Sequence, residues 1–145
     1  KGDVFFTVSC ETPDEVGISS VLLKDLGECY MNSFCFGWRP NLYELLPEFL
    51  QFYFRSTIFR KQMIRLAQGA TRFNLSKTEL MKAFILFPSP DEQKEIAEAL
   101  TAAQHEIDLL KQLADKYKTQ KRGLMQKMLT GTWRVKPNVV KDYAE

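Results

Sequence analysis

Three short stretches at the beginning of the chain have the character of strands: the first two are apolar runs with β-branched residues, and in the third large aromatic residues alternate with small ones. The first stretch is Asp3–Val8, the second is Ser19–Leu23, and the third ends at Trp38, with Phe34 and Phe36 at alternate positions before it. A period of two residues is typical of strands that are buried on one face. The pattern therefore predicts a small, mostly antiparallel sheet, with the three aromatic side chains of the third stretch directed into the core.

The hydrophobic period lengthens to that of a helix after Pro47. Leu50, Phe54 and Ile58 recur every four residues, which places them on one helical face. The proline suits a first helical turn, because the N–H that it lacks would have no partner there. The apolar face drifts around Ser56, so the pattern fits either one bent helix or two short helices.

A loop, a short turn and a further strand are predicted before the next proline-rich joint. The stretch GATRFNLSKTEL has the composition of a loop that runs into a turn, with Ser76 as the cap and Glu79 three residues later. The stretch AFILF, residues 83–87, is continuously apolar and returns to strand character.

Residues 88–92 predict an abrupt change from strand to helix. Ser89 and Glu92 form a capping box, in which the serine hydroxyl accepts from the N–H of Glu92 and the glutamate carboxylate accepts from the N–H of Ser89. Pro90 occupies the first helical position, where proline is favoured. Pro88 disfavours helical conformation at the residue before it. A helix is therefore expected to begin at Pro90.

A heptad repeat of apolar residues follows and persists for more than four heptads, which is typical of a coiled coil. The helix would end near Thr130-Gly131, about 60 Å from its start. A domain of about 90 residues is too small to cover that length, so most of the helix must meet another helix. The residues that we predict to pair on this face are Ile96, Leu100, Ile107, Leu110, Tyr117 and Leu124.

Charge along this helix predicts the direction of its partner. Six acidic residues and one lysine lie between Asp91 and Asp108, whereas eight basic residues and one aspartate lie between Lys111 and Lys136. A parallel pair would place like charges together, and an antiparallel pair would place opposite charges together. We therefore expect an antiparallel helix partner, from a second copy or from a part of the chain that precedes Lys1. The sequence does not begin with methionine, and we expect such a part.

A basic segment is the best candidate for a binding site. Seven basic residues and one acid lie between Arg55 and Lys82. Arginine and asparagine can each contact a base edge through two hydrogen bonds, and lysine neutralises phosphates. Arg72, Asn74 and Lys77 combine these groups in and after the predicted loop. The alternative interpretation is that the charges only solvate a helix face and a polar loop.

Composition argues against several other classes of protein. The chain is 45% hydrophobic, which is enough for a core, yet it has no apolar run long enough to span a membrane. Its three cysteines have no Cys-x-x-Cys spacing, so we predict free thiols, a reducing cytoplasmic location and no metal site.

The only histidine, His105, lies opposite the heptad face, where a solvent-exposed side chain is expected. The acids of Pro90–Lys94 suggest a metal-dependent nuclease, but the capping box already explains them.

The order of motifs resembles the specificity subunit of Type I restriction–modification enzymes. These motifs are GDVFFT, YMNSFCFGWRP, PEFLQFYFRS, GATRFNLSKTEL, FILFPSPDEQKEIAEAL and KRGLMQKMLTGTWRV. The resemblance implies the C-terminal part of a DNA target recognition domain at residues 1–88, a spacer or dimerisation helix at 89–131, and a tail at 132–145. It also implies a subunit without catalysis, which docks a methyltransferase subunit that uses S-adenosylmethionine and a restriction subunit that uses ATP.

The sequence thus predicts an α+β fold, with flanking helices and one long coiled-coil-type helix after the sheet. The predicted function is sequence-specific recognition of double-stranded DNA, with no cofactor bound by this chain itself. The rival interpretation is a coiled-coil interaction module that does not read DNA. The candidate DNA contacts are Arg72, Asn74 and Lys77, followed by Arg39, Thr7 and Ser9.

Overall fold

The computed structural model of the chain describes residues 1–134. It contains two compact units, Lys1–Thr101 and a second that begins at Ala102. The strands are β1 (Val4–Thr7), β2 (Ser9–Cys10), β3 (Ser19–Val21), β4 (Cys35–Trp38) and β5 (Phe73–Asn74). The helices are α1 (Pro47–Tyr53), α2 (Thr57–Leu66), α3 (Lys77–Leu80) and α4 (Pro90–Leu129). The predicted α+β class, with one long helix after the sheet, is confirmed.

The main sheet has three antiparallel strands in the order β3-β1-β4. Val4 lies opposite both Val21 and Trp38, so β1 is the central strand. Val4 and Phe6 are buried, while the residues between and after them are less so, so one face of β1 lies in the core. The expectation for Phe34 is wrong, because this side chain precedes β4 and is 56% exposed.

Aromatic rings join the sheet to the first two helices. The ring of Phe6 lies edge-on to that of Phe54 at 5.2 Å between centroids, and Phe54 meets Phe59 at 4.7 Å. The chain forms two short helices rather than one bent helix, and Ser56 separates them. Its hydroxyl accepts from the N–H of Phe59 and caps α2. The drift of the apolar face therefore marked a real break.

The strand predicted at residues 83–87 is wrong. The segment has no strand partner, and side chains of α1 and α2 hold its backbone instead. Gln62 accepts from the N–H of Phe84 and donates to its carbonyl, and the Tyr53 hydroxyl accepts from the N–H of Leu86. The side chains of Ala83 and Ile85 pack against the core. Burial of these residues explains the strand-like sequence pattern. Hydrogen bonds from the side chains of Gln62 and Tyr53 satisfy the backbone in place of a neighbouring strand.

The beginning of α4 is fixed by a residue whose role the sequence did not reveal. The Ser89 hydroxyl accepts from the N–H of Glu92 at 3.4 Å, as predicted, but the reciprocal bond from Glu92 is not formed among the described residues. Instead, Gln93 is fully buried. Its amide oxygen accepts from the N–H of Leu46, and its amide nitrogen donates to the carbonyls of Glu44 and Pro88. Gln93 thus ties the joint to the loop before α1.

The helix α4 continues without interruption through Gly123 and ends at Leu129. Gly131 has a φ of +74°, and the N–H of Trp133 donates to the carbonyl of Lys127 at 2.9 Å, which closes the last turn. The predicted tail at 132–145 extends beyond the described residues, since 135–145 lie outside them.

The three cysteines, Cys10, Cys29 and Cys35, are free, as their spacing predicted. Within residues 1–134, no helix combines the length and the hydropathy that crossing a membrane requires.

Candidate nucleic-acid interface

The second sheet brings two distant predicted residues together. Strands β2 and β5 form an antiparallel pair, which we call the ribbon, with Ser9 opposite Asn74 and Cys10 opposite Phe73. Cys10 and Phe73 pack against the core, so Ser9 and Asn74 lie on the other face of the ribbon. Next to them, the N–H of Leu75 donates to the carbonyl of Val8 at 2.8 Å, and the buried Leu75 side chain anchors the strand.

A tight hairpin presents Arg72 at the end of the ribbon. Gln68 and Asn74 exchange two main-chain hydrogen bonds, of 2.9 and 2.8 Å, and enclose residues 69–73. Gly69 has a φ of +137°, and a Cβ at this position would collide with the carbonyl oxygen of Arg72. The turn therefore requires glycine. Arg72 is exposed on this hairpin.

Lys77 follows the ribbon at the first position of α3. The Ser76 hydroxyl accepts from the N–H of Glu79 at 3.1 Å, which confirms the predicted cap. Arg72, Asn74 and Lys77 are all exposed and lie on one short segment. The three main candidates are thus exposed within one short segment, and Ser9, which is partly exposed, lies opposite Asn74.

Thr7 lies beside this surface but its hydroxyl supports the neighbouring loop. It donates to the carbonyl of Glu15 at 3.0 Å and accepts from the N–H of Ile18 at 3.1 Å. The Cys10 thiol also donates to the carbonyl of Glu15. These bonds fix residues 11–18, the loop that connects β2 to β3.

Arg39 lies at the other end of β1. The register pairs Thr7 with Cys35, whereas Arg39 follows Trp38 and lies beside Asp3. Its guanidinium donates to both carboxylate oxygens of Asp3, each at 2.6 Å. This hydrogen-bonded ion pair holds the pKa of Asp3 below its usual range and raises the pKa of Arg39. The structure does not bring Arg39 to the surface that carries Arg72.

Two members of the basic segment hold the backbone of the domain. The Arg60 guanidinium donates to the carbonyls of Asp14 and Val16 at 2.6 and 2.7 Å, and Arg55 donates to the carbonyl of Ser19 at 3.0 Å. Burial lowers the pKa of Arg60 from its ordinary value. Both arginines belong to the basic segment that the sequence suggested for binding, and their structural role could not be predicted because main-chain acceptors leave no signal in the side-chain pattern.

The heptad face of α4 carries a second candidate surface. Of the six predicted pairing residues, Ile96 is half-buried and packs against the core of the first unit. The other five are exposed, from 39% for Leu124 to 61% for Tyr117. Other apolar side chains of α4 are exposed as well, namely Leu109, Leu113, Met125 and Met128. A helix with so much exposed apolar surface is suited to pairing.

Residues 1–134 contain no group of three or more His, Cys, Asp or Glu side chains that could hold a metal ion. The arrangement offers hydrogen-bond donors and acceptors on the ribbon and an apolar face on the helix. Groups of both kinds are suited to binding another molecule.

Comparison with known families decides the kind of protein that carries these surfaces. Residues 1–118 match the family described as the Type I restriction modification DNA specificity domain. The chain belongs to this family. The match spans the sheet, the ribbon, the hairpin and more than half of α4, and it therefore includes most of the residues that the structure describes.

A solved structure shares the fold of this specificity domain. The crystal structure of a Type-I restriction-modification system S subunit from M. genitalium superposes with a TM-score of 0.68 at 19% sequence identity. The similarity covers 88% of this chain but 32% of that one. The chain therefore spans about one third of the length of that S subunit.

Proposed function

We propose that this chain recognises a specific DNA sequence as part of the specificity subunit of a Type I restriction–modification complex. Membership of the DNA specificity domain family is the observation that carries the proposal. The exposed segment with Arg72, Asn74 and Lys77 supports it, because these residues supply groups suited to base reading and phosphate binding within six positions of the chain.

The ribbon suits the major groove of DNA. That groove admits a two-stranded β-ribbon, and its base edges distinguish all four base pairs. Arg72 supplies donors that match the two acceptors of guanine, and Asn74 can bond to adenine through both of its amide groups. Lys77 contributes phosphate contact, which sets affinity rather than sequence preference. Ser9 adds a hydroxyl on the same face, and Thr7 supports the adjoining loop.

The long helix acts in this proposal as an antiparallel spacer. Its partner is an equivalent helix, from a second copy or from another part of a longer chain, and its length sets the separation of two recognition domains. The paired helices dock the methyltransferase subunit, and a restriction subunit completes the complex. Those subunits bind S-adenosylmethionine and ATP, and catalysis resides in them. The exposed apolar face and the division of charge along α4 support this role.

Arg72→Ala tests the DNA-reading part of the proposal. We expect the variant to lose discrimination at one base pair, by about 1–3 kcal/mol, because a bidentate contact to guanine is removed. The measurement is selection of bound sequences from a randomised duplex pool, followed by affinities for single-base variants of the selected site. Lys77→Ala is the control, and we expect it to weaken binding to all sequences equally and to reduce the salt dependence.

If Arg72→Ala lowers the affinity for all DNA sequences equally, base reading by Arg72 is contradicted, since Arg72 would then contact only phosphate. A wild-type chain that binds no DNA even at low salt contradicts recognition itself and favours the interaction module. The proposal predicts an affinity that falls steeply between low and moderate salt, because phosphate contacts release counterions.

Leu110→Asp tests helix pairing. A carboxylate in the apolar interface is expected to weaken the pair about a hundredfold, because it would be buried without a partner. Hydrogen exchange of the α4 amides reports the loss, whichever helix is the partner. His105→Asp introduces the same charge opposite the heptad face, and we expect protection to remain. Equal protection in Leu110→Asp and wild type would rule out this face. Concentration-dependent sedimentation separates a second copy from a partner within one chain.

A further inference from the structure

Two exposed side chains of opposite charge leave the ribbon at the same end. The last pair of the ladder is Cys10 with Phe73; Glu11 follows the first strand and Arg72 precedes the second. Because the strands are antiparallel, Glu11 and Arg72 occupy equivalent positions beyond that pair. Both are exposed, and among residues 1–134 neither side chain takes part in an ion pair or a hydrogen bond.

Both residues stand on backbone that the fold holds in place. On one side, Arg60 and Thr7 bind the carbonyls of Asp14 and Glu15, so the loop that begins at Glu11 is tied to the body of the domain. On the other side, Arg72 belongs to the hairpin that Gln68 and Asn74 close. A recognition group on a supported backbone loses less freedom on binding than one on a loose loop.

The two side chains together match one base pair. In the major groove a G·C pair presents the O6 and N7 acceptors of guanine beside the N4 amino donor of cytosine. An arginine supplies the donors for guanine, and a glutamate supplies an acceptor for the cytosine amino group. An A·T pair presents a different order of groups and would leave the carboxylate facing the O4 oxygen or the methyl group of thymine.

We propose that Glu11 is a specificity-determining residue, which accepts a hydrogen bond from the cytosine amino group of the same G·C pair whose guanine Arg72 contacts. The inference rests on the proposed function, since it assigns a further contact to the same DNA-reading surface. It predicts that the Glu11 carboxylate sharpens sequence preference without adding general affinity for DNA.

The test uses the full specificity subunit, assembled with its methyltransferase subunit. Randomised duplexes are selected with wild type, Arg72→Ala and Glu11→Ala, and we expect both variants to lose preference at the same G·C position. Affinities are then measured for the selected site and for a duplex with 2-pyrimidinone, which lacks the 4-amino group, in place of that cytosine. Wild type should bind the altered duplex about tenfold more weakly, whereas Glu11→Ala should bind both duplexes equally.

Glu15→Ala is the matched control, because it removes the same charge from the same exposed loop. It should strengthen binding to all sequences slightly and leave the sequence preference unchanged. Glu11→Gln keeps an acceptor oxygen and should retain part of the preference for cytosine.

The outcomes separate this inference from the proposed function. If wild type selects a site and Glu11→Ala changes affinity uniformly, or relaxes a position other than that of Arg72, the assignment of Glu11 is overturned while DNA recognition stands. If wild type selects no sequence, DNA recognition and the assignment of Glu11 fail together.

Discussion

Gly69→Ala is expected to destabilise the first unit by about 3 kcal/mol and to weaken site-specific DNA binding. The residue has a φ of +137°, which side chains rarely adopt, and a Cβ there would meet the Arg72 carbonyl oxygen. Strained backbone of this kind costs on the order of 1–3 kcal/mol, and the collision adds to that cost. To relieve the collision, the hairpin backbone must move at Gly69 or at Arg72, and we expect stability and DNA specificity to be lost together.

Gly123→Ala is the matched control for this substitution and should have the opposite sign. Gly123 lies within α4, and a Cβ at this position has no atom within 4 Å apart from the neighbouring backbone of the helix itself. Alanine in a helix interior is more favourable than glycine by about 1 kcal/mol. We therefore expect the helix to gain stability, with no change in DNA specificity.

Urea unfolding followed by fluorescence measures the effect of Gly69→Ala. Trp38 reports on the first unit, because it packs against Phe54 in the core, and a Trp133→Phe background removes the second tryptophan. Far-UV circular dichroism follows α4 for Gly123→Ala. An alanine at position 69 that leaves the unfolding midpoint unchanged would contradict the geometry of the hairpin.

Gln93→Ala is expected to cost about 2–4 kcal/mol of stability. The Gln93 side chain is fully buried and makes three hydrogen bonds, with the N–H of Leu46 and with the carbonyls of Glu44 and Pro88. Its removal leaves these backbone groups without partners, and each such group costs on the order of 1–3 kcal/mol where water cannot replace the bond. The first turn of α4 should also exchange its amide hydrogens faster.

Gln104→Ala is the control for Gln93, because Gln104 is exposed and bonds only to Asp108. It should change stability by no more than about 0.5 kcal/mol. Gln93→Glu provides a second test. At neutral pH its carboxylate would face two carbonyl oxygens, so this variant should be less stable than Gln93→Ala and recover as the pH falls. Similar unfolding midpoints for Gln93→Ala and Gln104→Ala would contradict the role of Gln93.

Local signals predicted the elements well where one segment determines its own structure. The proline and serine before residue 91 predicted the start of α4 correctly, and Ser76 and Ser56 marked the starts of α3 and α2. Capping and periodicity act within a few residues, so a sequence displays them directly. The same reasoning failed for residues 83–87, because an apolar segment shows that it is buried but does not show which groups bind its backbone.

The types of residue in the candidate site could be predicted from the sequence, but only some of the residues that lie together could be. Arg72, Asn74 and Lys77 lie near one another in the sequence, and each of them is exposed in the structure. The short pairing of β2 with β5 joins positions that are far apart in the chain, and its two residues per strand give too weak a pattern to detect.

The sequence by itself predicted the start and the approximate end of α4, its heptad face and the division of its charge, and it supplied the candidates for base reading. Only the tertiary structure decided which charged side chains remain free to bind a partner and which are engaged within the domain. It pairs Arg39 with Asp3, binds Arg55 and Arg60 to main-chain carbonyls, and brings Glu11 and Arg72 to the same end of the ribbon. The physical reason is that periodicity and capping arise from neighbours in the chain, whereas a hydrogen-bond partner is any group that folding brings within about 3 Å.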